Sequence, residues 1–299
     1  MSAVKINFYN STVILLYRFI LIWLLPLMIN IRAENKIHII DDEEFRKVLA
    51  EKIQDLHAEG KFTDINLLYN HLERKSCEVD LKKIQVKKKV KNLQDIYNES
   101  AKSVLIIAKG YKSKVLNKWQ TSLAGGFIIH KSGIAVTNYH VMEPSRGTVV
   151  AAMSSDKTVW PVTEVLAADR AMDIAIIRLK GEGFTPLPLS ADNEAGQKVS
   201  IVSHPDGRLY SLTTGIISRH FIDHDRNMKA HRFSVTADFA KGASGAPVLD
   251  DKGNVVGMVS STRSIYYSTE NGVDQNLQMV MKNCVPVQSI LKLIKVPSK

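Results

Sequence analysis

The chain has 299 residues, of which 45% are hydrophobic and 23% charged, and a formal net charge of +10. That composition supplies a sizeable core and excludes an intrinsically disordered chain. Much of the basic excess sits in one stretch, "ERKSCEVDLKKIQVKKKVKN" (73–92), with no nucleic-acid recognition motif beside it, so nucleic acid is not an expected partner.

In chain order, the first feature is an apolar run, "FILIWLLPLMI" (19–29), preceded by Lys5 and Arg18 and followed by the small residue Ala33. A positive flank, a short apolar core and a small-residue end are the parts of a secretory signal peptide, residues 1–33. Arg18 and Pro26 break a clean spanning run, which favours a cleaved signal over an uncleaved membrane anchor. Export, to a periplasm or outside the cell, is expected from both.

Residues 34–100 read as a helical, lysine-rich segment. "DDEEFRKVLAEKIQDLH" spaces Phe45, Val48, Leu49, Ile53 and Leu56 by threes and fours, with acids in the first turn and Gly60 past the end. "FTDINLLYNHLERK" repeats the pattern behind Thr63 and Asp64. The basic run 73–92 reads as a solvated helix face, the alternative being a patch for an anionic surface such as phospholipid. Membrane contact would come through that run or through an uncleaved N-terminus. Cys77 and Cys284 are either a disulfide or two unpaired buried thiols.

From residue 101 the pattern changes to short runs rich in valine and isoleucine, among them "SVLIIAKG", "GIAVTN", "DIAIIRL", "KVSIVS" and "NVVGMVSS". Many short strands separated by Gly, Asp and Asn turns predict an all-β assembly, and "DDKG" (250–253) reads as a hairpin turn. Roughly 180 residues of this kind suit two small barrels better than one. "PVQSILKLI" (286–294) predicts a terminal helix opened by a proline.

Ser244 stands in "GASGAPV", a glycine-flanked turn. A serine nucleophile needs a base, a group orienting that base, and donors for the oxyanion. All nine histidines lie upstream of Ser244, which excludes the α/β-hydrolase order and leaves His, Asp, Ser. His140 follows the alternating run "GIAVTNY", at the end of a strand, and Asp173 opens "DIAIIRL". Each alone reads as a turn or surface residue; together, in this order, they are candidates for base, orienter and nucleophile.

"GGFIIHKSGIAVTNYHV", "DIAIIRL" and "KGASGAPV" resemble the trypsin-like serine proteases of the chymotrypsin fold, most of all the bacterial HtrA/Deg-type proteases. The resemblance covers about residues 101–295 and implies a mostly β protein: a double six-stranded β-barrel behind the helical N-terminal segment. Barrel 1 would span about 101–183, barrel 2 about 184–285, and the terminal helix 286–295. It implies His140 as general base, Asp173 as its orienter, Ser244 as nucleophile, and the backbone N–H groups of Gly242 and Ser244 as the oxyanion hole. By the same resemblance Asp238 would lie at the base of the primary specificity pocket, with Ser260 and Thr262 of "GMVSST" on its wall. A buried Asp238 would favour Lys or Arg at the cleaved bond; a solvent-facing one would not.

The chain also departs from the family. Ala243 cannot capture a new N-terminus as an aspartate would, Ala246 replaces a glycine, and Val141 and Ala240 stand near positions that are cysteines in animal trypsins. No room is expected for a peptide-binding PDZ domain. In "RHFIDHDRNMKAHR", His220 and His224 would share a face if helical and could bind a metal, but a surface loop is the better reading and no metal is expected. The reading is an exported serine endopeptidase acting on protein or peptide substrates without a cofactor. Its rivals are a latent peptide-binding module of the same fold and a hydrolase of small esters or amides.

Overall fold

A computed structural model describes residues 39–297 apart from 82–83, 114–116, 145–146 and 226–227. The signal-peptide reading of residues 1–33 lies outside the described residues. Among the described residues no helix is long and apolar enough to cross a membrane.

Two closed six-stranded antiparallel barrels form the body. Barrel 1 comprises β2 (Val104–Lys112), β3 (Trp119–His130), β4 (Ile134–Thr137), β5 (Val149–Met153), β6 (Val159–Asp169) and β7 (Ile174–Leu179), in the order β2-β3-β4-β7-β6-β5. Barrel 2 comprises β8 (Lys198–Ser203), β9 (Ser211–Asp225), β10 (Met228–Val235), β11 (Pro247–Asp250), β12 (Val255–Glu270) and β13 (Val273–Pro286), in the order β10-β13-β12-β11-β8-β9. Small barrels are filled by inward side chains. Leu105, Ile107, Ile128, Val150 and Ile177 fill the first, and Ile201, Phe233, Val248, Val256 and Cys284 the second. A third cluster joins the barrels through Phe127, Val136, Ile176, Leu249 and Val285. The expected "DDKG" turn joins β11 to β12, where Asp250 Oδ1 accepts from the Lys252 and Asn254 amides.

The segment before residue 100 shares these cores. In α1 (Asp42–Ala58), Asp41 caps the first turn by accepting from the Glu43 and Glu44 amides. Its Phe45, Leu49 and Ile53 are buried, and Ile53 packs where Gly110 of β2 has no Cβ. From α2 (Ile65–Asn70) and the 3-10 turn His71–Glu73, Ile65, Leu68 and Leu72 enter the barrel 1 cluster. Short α3 (Leu93–Ser100) adds Ile96 to the cluster joining the barrels.

Several local expectations need correction. Residues 84–92 of the basic run form no helix: Val86 and Val90, which would anchor a helix face, are exposed. Instead the Asn254 side chain accepts from the Lys87 amide at 2.7 Å and donates to the Lys87 carbonyl at 3.0 Å. The terminal helix, α5, covers only Val287–Leu291; Ile294–Lys295 then form strand β14, paired in parallel with β1 (Cys77–Glu78). The segment holding His220 and His224 is not a surface loop but the β9–β10 hairpin. Cys77 and Cys284 are both free thiols, and burial pushes the Cys77 thiol up to about 11.

Candidate active site

Strand β4 is buried along its whole length and ends at Thr137, whose hydroxyl donates to the Gly125 carbonyl at 2.7 Å. Buried Asn138 follows, donating Nδ2 to the Asp173 carbonyl at 3.0 Å, and opens the short helix α4 (Tyr139–Met142). This puts His140 in the first helical turn, facing the residue before β7. Asp173 sits there at φ 59°, a left-handed conformation that costs a non-glycine residue about 1 kcal/mol or more and persists only where neighbours impose it. Its carboxylate accepts from the His140 backbone amide at 3.1 Å, and His140 Nδ1 lies 2.9 and 3.1 Å from its two oxygens. Ser260 Oγ donates to Asp173 Oδ2 at 2.6 Å.

A carboxylate can only accept, so Nδ1 carries the proton and Nε2 is left as the acceptor. Burial works to lower the His140 pKa, but the hydrogen bond and the negative charge of Asp173 outweigh it, so the net shift is upward from the ordinary histidine value.

Ser244 lies on the loop before β11. Gly245 has φ +88°, and a Cβ there would meet the Gly125 carbonyl oxygen at 2.2 Å. Gly125, on β3, donates its amide to the Ser244 carbonyl at 2.6 Å. The paired glycines are what let the two barrels touch behind the serine. Gly242 has φ +94°, and a Cβ would stand 2.7 Å from the His204 carbonyl oxygen. Among the described residues, neither the Gly242 nor the Ser244 amide donates a hydrogen bond. Ser244 Oγ donates to the Ser260 carbonyl at 3.3 Å rather than to His140. The structure thus brings His140, Asp173, Ser244, Gly242 and Ser260 to one place.

Asp238 is elsewhere. Its side chain is 78% exposed and ion-paired to Lys282 Nζ at 2.6 Å, so it does not form the floor of a pocket. Ser260, expected as a pocket wall, donates to Asp173 and lines the cavity at His140; Thr262 is exposed at the start of a projecting ribbon and lines a second cavity. Among the described residues no cluster of potential ligands fits a metal: His220 Nδ1 is instead 3.0 Å from His231 Nε2.

Sequence reasoning missed Arg232 and His204. Arg232, 7% exposed on β10, donates to the carbonyls of Ala171 at 3.1 Å and Met172 at 3.1 Å, the residues just before Asp173. It therefore ties barrel 2 to the turn carrying the carboxylate, and lines with His140 a cavity of about 500 Å³. His204 is wholly buried, with Nε2 3.1 Å from the Leu105 carbonyl and Nδ1 accepting from the Tyr210 amide at 3.1 Å; burial pushes its pKa down to about 4. His204 stands in no motif, and Arg232 closes the segment "RHFIDHDRNMKAHR" as an ordinary strand residue; the approach of the barrels reveals both roles.

Comparison with known proteins places this geometry. The family model described as "Trypsin-like peptidase domain" matches residues 124–258. Protease Do-like 1, chloroplastic, of Arabidopsis thaliana is 33% identical over 141 residues, covering 44% of this chain and 31% of that protein. A probable periplasmic serine endoprotease DegP-like of Halomonas elongata is 31% identical over 147 residues, 48% of this chain and 30% of its own. The chain thus spans about a third of the length of these curated relatives. Among solved structures, an HtrA-type protease AlgW with decapeptide superposes with a TM-score of 0.54 at 16% identity, covering 67% of this chain and 66% of that one, a likeness of fold. Residues 124–258, which match the trypsin-like peptidase domain, hold His140, Asp173 and Ser244, and over this region the chain is similar to the Deg/HtrA serine proteases.

Proposed function

We propose that the protein is an exported serine endopeptidase in which Ser244 is the nucleophile, His140 the general base and Asp173 the residue that orients it. The observation carrying this reading is the His140–Asp173 pair, with Nδ1 2.9 Å from the carboxylate and Nε2 left to take a proton. In the cycle, Ser244 Oγ attacks the peptide carbonyl as its proton passes to His140 Nε2. The tetrahedral oxyanion is met by the open Gly242 and Ser244 amides. His140 then protonates the leaving amine, and water hydrolyses the acyl-enzyme by the same route. After Met258, β12 no longer pairs with β11, and among the described residues nothing pairs with that edge beyond Ser260, which leaves it to add an extended peptide as a further strand. Export rests on the charge and apolar pattern of residues 1–33 and on the periplasmic designation of DegP-like relatives.

A second reading, a latent peptide-binding module, draws on one observation: the Ser244 hydroxyl points to the Ser260 carbonyl, not to His140. Such bonds often form only with substrate bound. Digestion of peptides of increasing length, analysed by mass spectrometry, separates the readings. An endopeptidase cleaves internal bonds faster in longer peptides and loses this in Ser244→Ala. Binding without cleavage would support the module, and cleavage of small esters alone a non-peptide hydrolase.

A further inference from the structure

Two β-ribbons project beside the candidate site, β9–β10 and the long hairpin β12–β13. Between them lies a cavity of about 710 Å³, lined on one side by Arg219, Phe221 and His224 and on the other by Ser261 and Arg263. It opens from the cavity at His140, because Asp223 and Ser261 line both.

The charges in the two cavities are arranged differently. At the His140 cavity each cation faces an anion or carbonyl: Arg170 pairs with Glu143 at 3.3 Å, His140 with Asp173, and Arg232 with carbonyl groups under the pull of Asp173 and Asp223. In the ribbon cavity neither Arg219 nor Arg263 has a carboxylate within 4.0 Å among the described residues. Arg219 rests its guanidinium on the Phe221 ring, 5.0 Å from the centroid, which holds the planar head without neutralising it. Asp223 is the acid at the junction of the two cavities and acts electrostatically on Arg232; among the described residues it forms no ion pair within 4.0 Å of Arg219 or Arg263.

We infer that the ribbon cavity is a subsite for a carboxylate side chain of the peptide substrate, a proposal that rests on the endopeptidase reading. Arg263 lies three residues beyond Ser260, the residue bonded to both Asp173 and Ser244. At a strand rise of about 3.4 Å per residue, that is about 10 Å from the reacting centre. A peptide extended along the free edge of β12 advances at the same rate, so the acidic residue stands about three positions from the scissile bond. Guanidinium groups suit this role because their fork matches a carboxylate.

The test is a peptide series in which one position at a time, on both sides of the cleaved bond, is Ala, Glu or Lys. Relative kcat/KM is measured for the full protein and for the double variant Arg219→Gln, Arg263→Gln. The expected result is a Glu/Ala ratio of about five to ten at one position near the third, shrinking at high salt and falling to about one in the double variant. The ratio is taken within one preparation, so a partly misfolded variant does not alter it. A ratio near one in the parent protein, or an unchanged preference in the double variant, overturns the proposal. If no peptide is cleaved, the endopeptidase reading fails separately, and fluorescence anisotropy of the same Glu and Ala peptides decides the subsite. Tighter binding of the Glu peptide that is lost in the double variant supports it; equal binding overturns it.

Discussion

The two barrels bring unlike halves to the site. Barrel 1 contributes His140 and Asp173 at the ends of adjacent strands β4 and β7, where strand pairing and the Asn138 side chain set the distances. Barrel 2 contributes Ser244 on a loop outside any strand, with the Gly242 and Ser244 amides open. That loop takes its shape from its neighbours: Gly125 binds the Ser244 carbonyl, the Asp206 amide donates to the Lys241 carbonyl at 2.5 Å, and Gly242 lies against His204. The 204–210 turn is in turn held by α1, through Arg46 Nη2 to the Gly207 carbonyl at 2.9 Å and the Leu209 amide to Asp42 Oδ1 at 2.9 Å. The proposed base therefore rests on strand pairing within barrel 1, with Arg232 and Ser260 of barrel 2 bracing the Asp173 turn, whereas the loop of the proposed nucleophile depends on barrel 1 and on the N-terminal segment.

The largest effect is expected at Asp173. Asp173→Asn should lower kcat by about 10⁴-fold while leaving the fold intact, because the amide favours the wrong histidine tautomer. It should also move the pH profile. In the proposed cycle His140 must be neutral to accept a proton, and its raised pKa should place the acid limb of kcat/KM above the ordinary histidine value. Without the carboxylate that limb shifts to lower pH. A pH–rate profile of both proteins checks the sign.

On the barrel 2 side, Gly242→Ala forces a Cβ to within 2.7 Å of the His204 carbonyl at φ +94°, displacing the amide expected to meet the oxyanion. A loss of about 10²- to 10³-fold in kcat is expected, with the His140 limb of the pH profile unmoved. Steady-state kinetics across pH would show whether the halves separate this way.

His204 makes the support behind that loop sensitive to acid. Its folded pKa of about 4 lies below the ordinary value of 6.5, so between these pH values the unfolded chain binds the extra proton. The stability is complete above that window and is lost as pH falls through it, by about 3 kcal/mol in all. Urea midpoints at neutral and acid pH should show this slope, flattened in His204→Gln.

The smallest effect is expected at the N-terminal clamp. Arg46→Ala frees the Gly207 carbonyl some distance from the reacting atoms, and kcat should fall only a few-fold, roughly 1 kcal/mol, with KM nearly unchanged. An unchanged kcat would show that the 204–210 turn keeps its shape without α1.

The same asymmetry decides what was legible in the sequence. His140, Asp173 and Ser244 could be read because each is tied to a local pattern: a strand end, a strand start, a glycine turn. The paired barrels were legible in the spacing of the valine and isoleucine runs. Asp238 stayed open between pocket floor and solvent because a fixed offset from the serine does not say which way a side chain points; Lys282, on another strand, holds it at the surface. Arg232 stands in an ordinary strand, and its role exists only where β10 meets the 170–173 turn. The basic run read as a helix because charge and length allowed one, but its backbone bonds go to Asn254 and Asp251 instead.

The proposed cycle requires an activated Ser244. The direct measurement is intact-protein and peptide mass spectrometry after exposure to a fluorophosphonate, for the parent protein, Ser244→Ala and His140→Ala. A single phosphonyl adduct on Ser244 is expected in the parent and none in either variant. An adduct on another residue, or equal labelling of the His140→Ala protein, would contradict it.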